Sequence, residues 1–178
     1  ILWQGRPNWL QLTIESLNLW WIIGYFGLLA TWRFLTVIDY MPLGTAISVI
    51  IPFLFIAAFA GLLLCIVGYV QAKATLYTIT NKRVVMRIGA ALTITLNLPF
   101  TKIDNAAVAK KRRGFGNIAF ETSGSTKFSY FVLWPHARSW HFGKPQPTLR
   151  CIPEIEKVSS ILGEAAKSRI IEKDNHSQ

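Results

Sequence analysis

Apolar and polar positions follow three rhythms along this chain. From Ser16 to Ile38, and again from Ala46 to Val70, apolar residues run on almost without interruption. Ala46–Val70 is 25 residues without a charge, more than the roughly 20 that an α-helix needs to cross a hydrocarbon core. Ser16–Ile38 is 23 residues broken only by Arg33, close enough to the end of the run to snorkel to an interface. The pattern predicts two transmembrane helices joined as a hairpin around Asp39–Gly44. The first run reads as a span rather than a signal peptide, because a second span follows with no small-residue cleavage pattern between them.

Beyond Gln71 the period drops to two. Val84, Met86 and Ile88 alternate with Arg83, Val85 and Arg87, and Leu92, Ile94, Leu96 and Leu98 alternate with Thr93, Thr95, Asn97 and Pro99. Such alternation marks antiparallel strands with one buried face. Asn81-Lys82 and Gly89–Ala91 supply the turn chemistry between them. Gly116–Thr122, Phe128–Leu133 and Thr148–Ile152 are further short strand candidates bounded by Gly, Pro or Ser. After Pro153 the third rhythm begins, with Ile155, Val158, Ile161, Leu162 and Ala165 on one helical face. Pro153 suits a first helical position, and Glu154 and Glu156 suit the positive end of the helix dipole. The predicted architecture is an N-terminal segment (1–15), a two-span membrane α-helical hairpin (16–70) and an α+β domain (71–178), the last a β-sandwich or partly open barrel capped by a C-terminal helix.

Composition supports the membrane reading: 52% of residues are hydrophobic and only 16% charged, on the apolar side of soluble domains. Charge then sets an expected orientation. After Val70 there are 17 Lys and Arg against 7 Asp and Glu, while the loop between the spans has Asp39 and no cation. Cytoplasmic flanks carry the Lys and Arg excess, so both termini are expected in the cytoplasm. Cys65 and Cys151 are too few and too separated for a disulfide framework.

Candidate functional residues are sparse. Gly24 and Gly27 in the first span, and Ala57 and Gly61 in the second, lie at spacings suited to close helix contact, inside the hairpin or against a partner's helix. Trp20, Trp21 and Trp32 read as interfacial aromatics. Neither span contains His, the usual axial ligand of haem and chlorophyll-type pigments, and no cofactor is expected. There is no P-loop, Gly114–Gly116 lacks the third glycine of a dinucleotide site, and no Ser, His and Asp set is suggestively arranged, so the chain is expected to be non-enzymatic. His136 and His141 have no nearby carboxylate or Cys in the sequence and read as surface or hydrogen-bonded residues before metal ligands. The run Lys110, Lys111, Arg112 and Arg113 is the one functional-looking surface feature. It fits a topology signal, an acidic protein partner or anionic headgroups. Nucleic acid is disfavoured, because the cluster lacks interleaved aromatics and a groove-reading helix.

The stretch Leu76–Thr93 followed by "LPFTKIDNAAV" (Leu98–Val108) resembles the bacterial pleckstrin-homology (PH) family, whose members often place this domain after two spans. "ILWQGRP" (Ile1–Pro7) and "LRCIPEIEKVSSIL" (Leu149–Leu162) narrow the likeness to PuhB-type photosynthetic complex assembly proteins of purple bacteria. That resemblance implies a non-enzymatic, multi-pass protein of the bacterial inner (photosynthetic intracytoplasmic) membrane. Its implied partners are subunits of the reaction centre and of the core light-harvesting (LH1) complex, with membrane lipid around the spans and self-association into a homo-oligomer left open. The residues alone also allow a lipid-binding PH-domain membrane protein unconnected with photosynthesis.

Overall fold

The computed structural model describes residues 1–111, 114–123 and 129–175. The elements in chain order are β1 (Trp3–Gly5), α1 (Trp9–Ser16), α2 (Leu19–Val37), α3 (Leu43–Ala74), β2 (Leu76–Ile79), β3 (Arg83–Ile88), β4 (Ile94–Pro99), β5 (Ile103–Lys110), β6 (Gly116–Thr122), α4 (Tyr130–Leu133), β7 (Thr148–Ile152) and α5 (Ile155–Asn175). Two antiparallel sheets, β1-β2-β3-β4 and β5-β6-β7, form the domain and do not close into a barrel.

Alternation in β3 is reproduced residue by residue, since Val84, Met86 and Ile88 are buried and Arg83 and Arg87 exposed. These side chains share one core with Tyr77, Ile79, Leu96, Leu98, Ile118, Phe120, Leu149 and the inner face of α5 at Ile155, Val158 and Leu162. Gly89, at φ +96°, turns β3 into β4, and a Cβ there would collide with the Leu92 carbonyl. That turn extends further than the pattern predicted. Leu92 belongs to it and is 81% exposed, so the buried face of β4 begins at the half-buried Ile94. The predicted strand at Phe128–Leu133 is corrected as well: Tyr130–Leu133 is a single helical turn, and Phe128 falls outside the described residues. Helix α5 starts after Pro153 and Glu154, which lie in a turn, and it continues to Asn175.

The predicted boundary between residues 1–15 and the sandwich needs correction. Strand β1 lies upstream of the apolar helices, yet it pairs antiparallel with β2, downstream of them, in the register Trp3↔Ile79 to Gly5↔Tyr77. Asn8 then caps α1 by accepting from the Gln11 N–H, and its own N–H donates to the Cys151 carbonyl. Leu12 is fully buried in a small cluster with Ala72 of α3 and Cys151 of β7. At Gly68 a Cβ would overlap the Thr13 hydroxyl, so glycine lets α1 lie directly on α3. The N-terminal segment is therefore part of the β-domain.

Helix α3 is the one described helix long and apolar enough by itself to cross a membrane, and none of its most apolar stretch is buried. Helices α1 and α2 meet at a 56° bend and meet that measure only when taken together. The bend sits at Asn18, whose φ of +53° is left-handed, a conformation Asn tolerates. Helix α2 packs along α3 through Leu19, Ala30 and Val37.

Candidate functional site

The bend at Asn18 carries the start of α2 up against the second sheet. There Glu15, Trp20 and Trp21 face Lys111, Arg138 and Arg150 across an open cleft of about 610 Å³. The two tryptophans are largely exposed, at 65% and 79%. They also border an apolar groove on the outer side of α2 that continues over Gly24, Tyr25 and Leu28.

Arg150 is the unusual member of this cleft. Strand β7 is buried along its whole length, and Arg150 is only 6% exposed. Its Nη1 donates to Ser16 Oγ at 2.6 Å and its Nη2 to Ser139 Oγ at 2.5 Å, while Nε has no partner. Among the described residues no carboxylate lies within salt-bridge distance of it. A buried guanidinium with two neutral partners and no counter-charge is costly to hold. Near it, Arg138 donates to Gln146 Oε1, and Glu15 accepts from Asn117 Nδ2.

Behind Arg150 a chain of hydrogen bonds fixes the junction of α3 with the sandwich. The Arg150 N–H donates to Tyr77 Oη at 3.3 Å, and Tyr77 Oη lies 2.6 Å from His136 Nδ1. His136 Nε2 is 3.0 Å from Thr75 Oγ1, which donates to the Gln71 carbonyl. Only one proton arrangement satisfies every link: Tyr77 donates to Nδ1, and the neutral ring donates from Nε2 to Thr75. Burial pushes the His136 ring down to about 3, helped by the Arg150 charge. Burial raises the Tyr77 phenol well above its ordinary range. The Cys151 thiol is pushed up to about 12, by burial first and by the Glu15 charge second, which makes it a poor nucleophile. His136 is thus interior and bonded through both nitrogens, whereas His141 is near the surface with Nδ1 on the Ser139 carbonyl. Among the described residues no group of three His, Cys, Asp or Glu side chains is placed to hold a metal ion.

The basic run occupies the β5–β6 connection. Lys110 ends β5 and pairs with Glu156 of α5 at 2.9 Å, and Lys111 lies 3.9 Å from Glu15. The Lys110 contact lowers the Glu156 carboxyl below its ordinary range. Arg112 and Arg113 lie outside the described residues. The four candidate span residues separate into two pairs. Ala57 and Gly61 are partly covered, and a Cβ at Gly61 would sit 3.9 Å from Leu19 of α2. Gly24 and Gly27 are exposed with nothing within 4 Å of a Cβ, so they take no part in packing inside the hairpin. The sequence reading missed Arg150 and Arg138. Its one usable signal was a lone cation inside the otherwise apolar "LRCI" strand.

A family model described as "Bacterial PH domain" matches residues 19–166. A protein of Rhodobacter capsulatus named "Uncharacterized 23.7 kDa protein in puhA 5'region" is 43% identical over 176 residues, covering 97% of this chain and 81% of that one. No solved structure matches the chain.

Proposed function

This chain belongs to the bacterial PH domain family, and on that premise we propose that it is a membrane-anchored, non-enzymatic assembly factor for photosynthetic complexes. Its anchor is a two-span hairpin, α2 and α3, and its partners are reaction-centre and core light-harvesting subunits.

The observation that carries the anchor is the pairing of β1 with β2. Strands on either side of the apolar helices belong to one sheet, so the chain between them must cross a bilayer an even number of times. Helix α3 is apolar enough to cross and its apolar surface is uncovered, and α2 is the segment available to make the other crossing. The Lys and Arg excess supports a cytoplasmic side for the sandwich and both termini. The photosynthetic assignment draws on the relative, whose name puts it in the puhA 5' region of Rhodobacter capsulatus, together with the end motifs Ile1–Pro7 and Leu149–Leu162. Two weak contacts, one along the outer face of α2 and one at the β5–β6 connection, become effectively intramolecular once either forms. Such linkage lets a factor hold subunits without joining the finished complex.

Deleting the gene tests the role. Reaction-centre and core-antenna absorption in the membranes should fall, and the complexes that still form should keep normal spectra. Wild-type levels of both would refute the assembly function. Topology is tested separately, with Cys65 replaced by Ser: Tyr40→Cys should react with a membrane-impermeant maleimide in intact spheroplasts, and Lys102→Cys only after permeabilisation. The opposite pattern would overturn the orientation.

A further inference from the structure

We propose that the cleft between α2 and the second sheet is a binding site for one anionic phospholipid, its phosphate held by Arg150, Arg138 and Lys111 and an acyl chain laid along the apolar groove of α2. Of the basic run, the site uses Lys111 alone among the described residues.

Three observations converge on it. Arg150 is a buried guanidinium in the wall of the cleft whose Nε has no partner and whose other contacts are two serine hydroxyls. An anion is the ligand such a group lacks, and a phosphate in the cleft would supply the missing counter-charge. Second, the cleft is lined by three cations against the single carboxylate of Glu15, an excess that favours a negatively charged occupant. Third, the polar cleft and the apolar groove share Trp20 and Trp21, so the site is cationic at one end and greasy at the other. A free phosphate would use only the first end. A phospholipid uses both, and the tryptophans stand where the amphipathic ring favours the headgroup level. Gly24 keeps the groove open, because a side chain there would project into empty space.

The proposal rests on the membrane placement of the hairpin and not on the assembly role, and lipid binding by the purified chain, measured without any partner subunit, separates its failure from that of the assembly role. The full chain should be reconstituted into phosphatidylcholine nanodiscs and titrated with phosphatidylglycerol carrying brominated acyl chains, with quenching of tryptophan fluorescence as the signal. Saturable quenching is expected at a low mole fraction of phosphatidylglycerol, and brominated phosphatidylcholine should give only a linear response. Arg150→Gln should weaken the saturable component by about tenfold. Because a buried substitution can unsettle the fold, the surface pair Arg138→Gln with Lys111→Gln and the groove-filling Gly24→Leu provide a second test, each expected to weaken binding while the circular dichroism spectrum is unchanged. Equal quenching by both lipids, or saturable binding unchanged in both of these folded variants, would overturn the site. Competition by millimolar inorganic phosphate as effective as that of unlabelled phosphatidylglycerol would overturn the lipid assignment in favour of a free anion.

Discussion

The sandwich and the hairpin are built from the same apolar residue types and place them in opposite ways. Tyr77, Ile79, Met86, Phe120 and Leu149 are sealed inside the two sheets. Phe55, Phe59, Leu62 and Leu63 of α3 are left open along the helix. In water the second arrangement would be a large exposed patch of the kind that drives association. Next to lipid it is no penalty at all, because hydrocarbon outside the helix is as apolar as the side chains. The difference shows that hydrophobicity in this chain reports burial where it is periodic, as in β3 and along the inner face of α5, and not where it runs on unbroken.

That contrast can be broken most sharply by paired truncations. Met86→Ala, in the packed core, should destabilise the detergent-solubilised chain by about 2–5 kcal/mol in denaturant unfolding, whereas Phe55→Ala, 73% exposed, should change it very little. Equal losses would mean that the outer face of α3 is covered by protein. A smaller effect sharpens the role of the polar junction. His136 is held well below its ordinary 6.5 when folded, so the unfolded chain binds the proton more readily. Its contribution is complete above that ordinary value and is lost as pH falls toward the folded value of about 3, at about 1.4 kcal/mol per pH unit. Unfolding midpoints should therefore drop between pH ~6.5 and ~5, above the carboxylate range, and a flat profile there would show that the ring is not buried neutral. The smallest effect belongs to the surface: Glu156→Gln breaks an exposed pair with Lys110 and should leave the unfolding midpoint within error. A clear shift would mark that connection as tied into the core.

Legibility followed the same division. Strands β3 and β4 were readable because each keeps one face in the core, and the apolar runs were readable because they have no polar face to break them. Leu92 misled because alternation by itself cannot show where a glycine turn ends. Strand β5, "IDNAAVAK", escaped notice because its burial is irregular, with no apolar alternation to detect. Strand β1 is three residues long, and its partner lies beyond the whole hairpin, so no local window contains the information. Arg150 was invisible for a similar reason. Its burial depends on Ser16, contributed from a segment 134 residues away.

The pairing of β1 with β2 also bears on how the protein is made. Leu76–Ile79 is synthesised only after Trp3–Gly5 and the helices, so in the proposed two-span topology the first strand waits on one face of the bilayer while the chain between is inserted. If only one helix crossed, β1 would be stranded on the far side and β2 would keep a bare edge, the kind of edge that invites aggregation. In that topology, completing the sheet works as a checksum on insertion. Only a chain whose two ends have arrived on the same face can close its own domain.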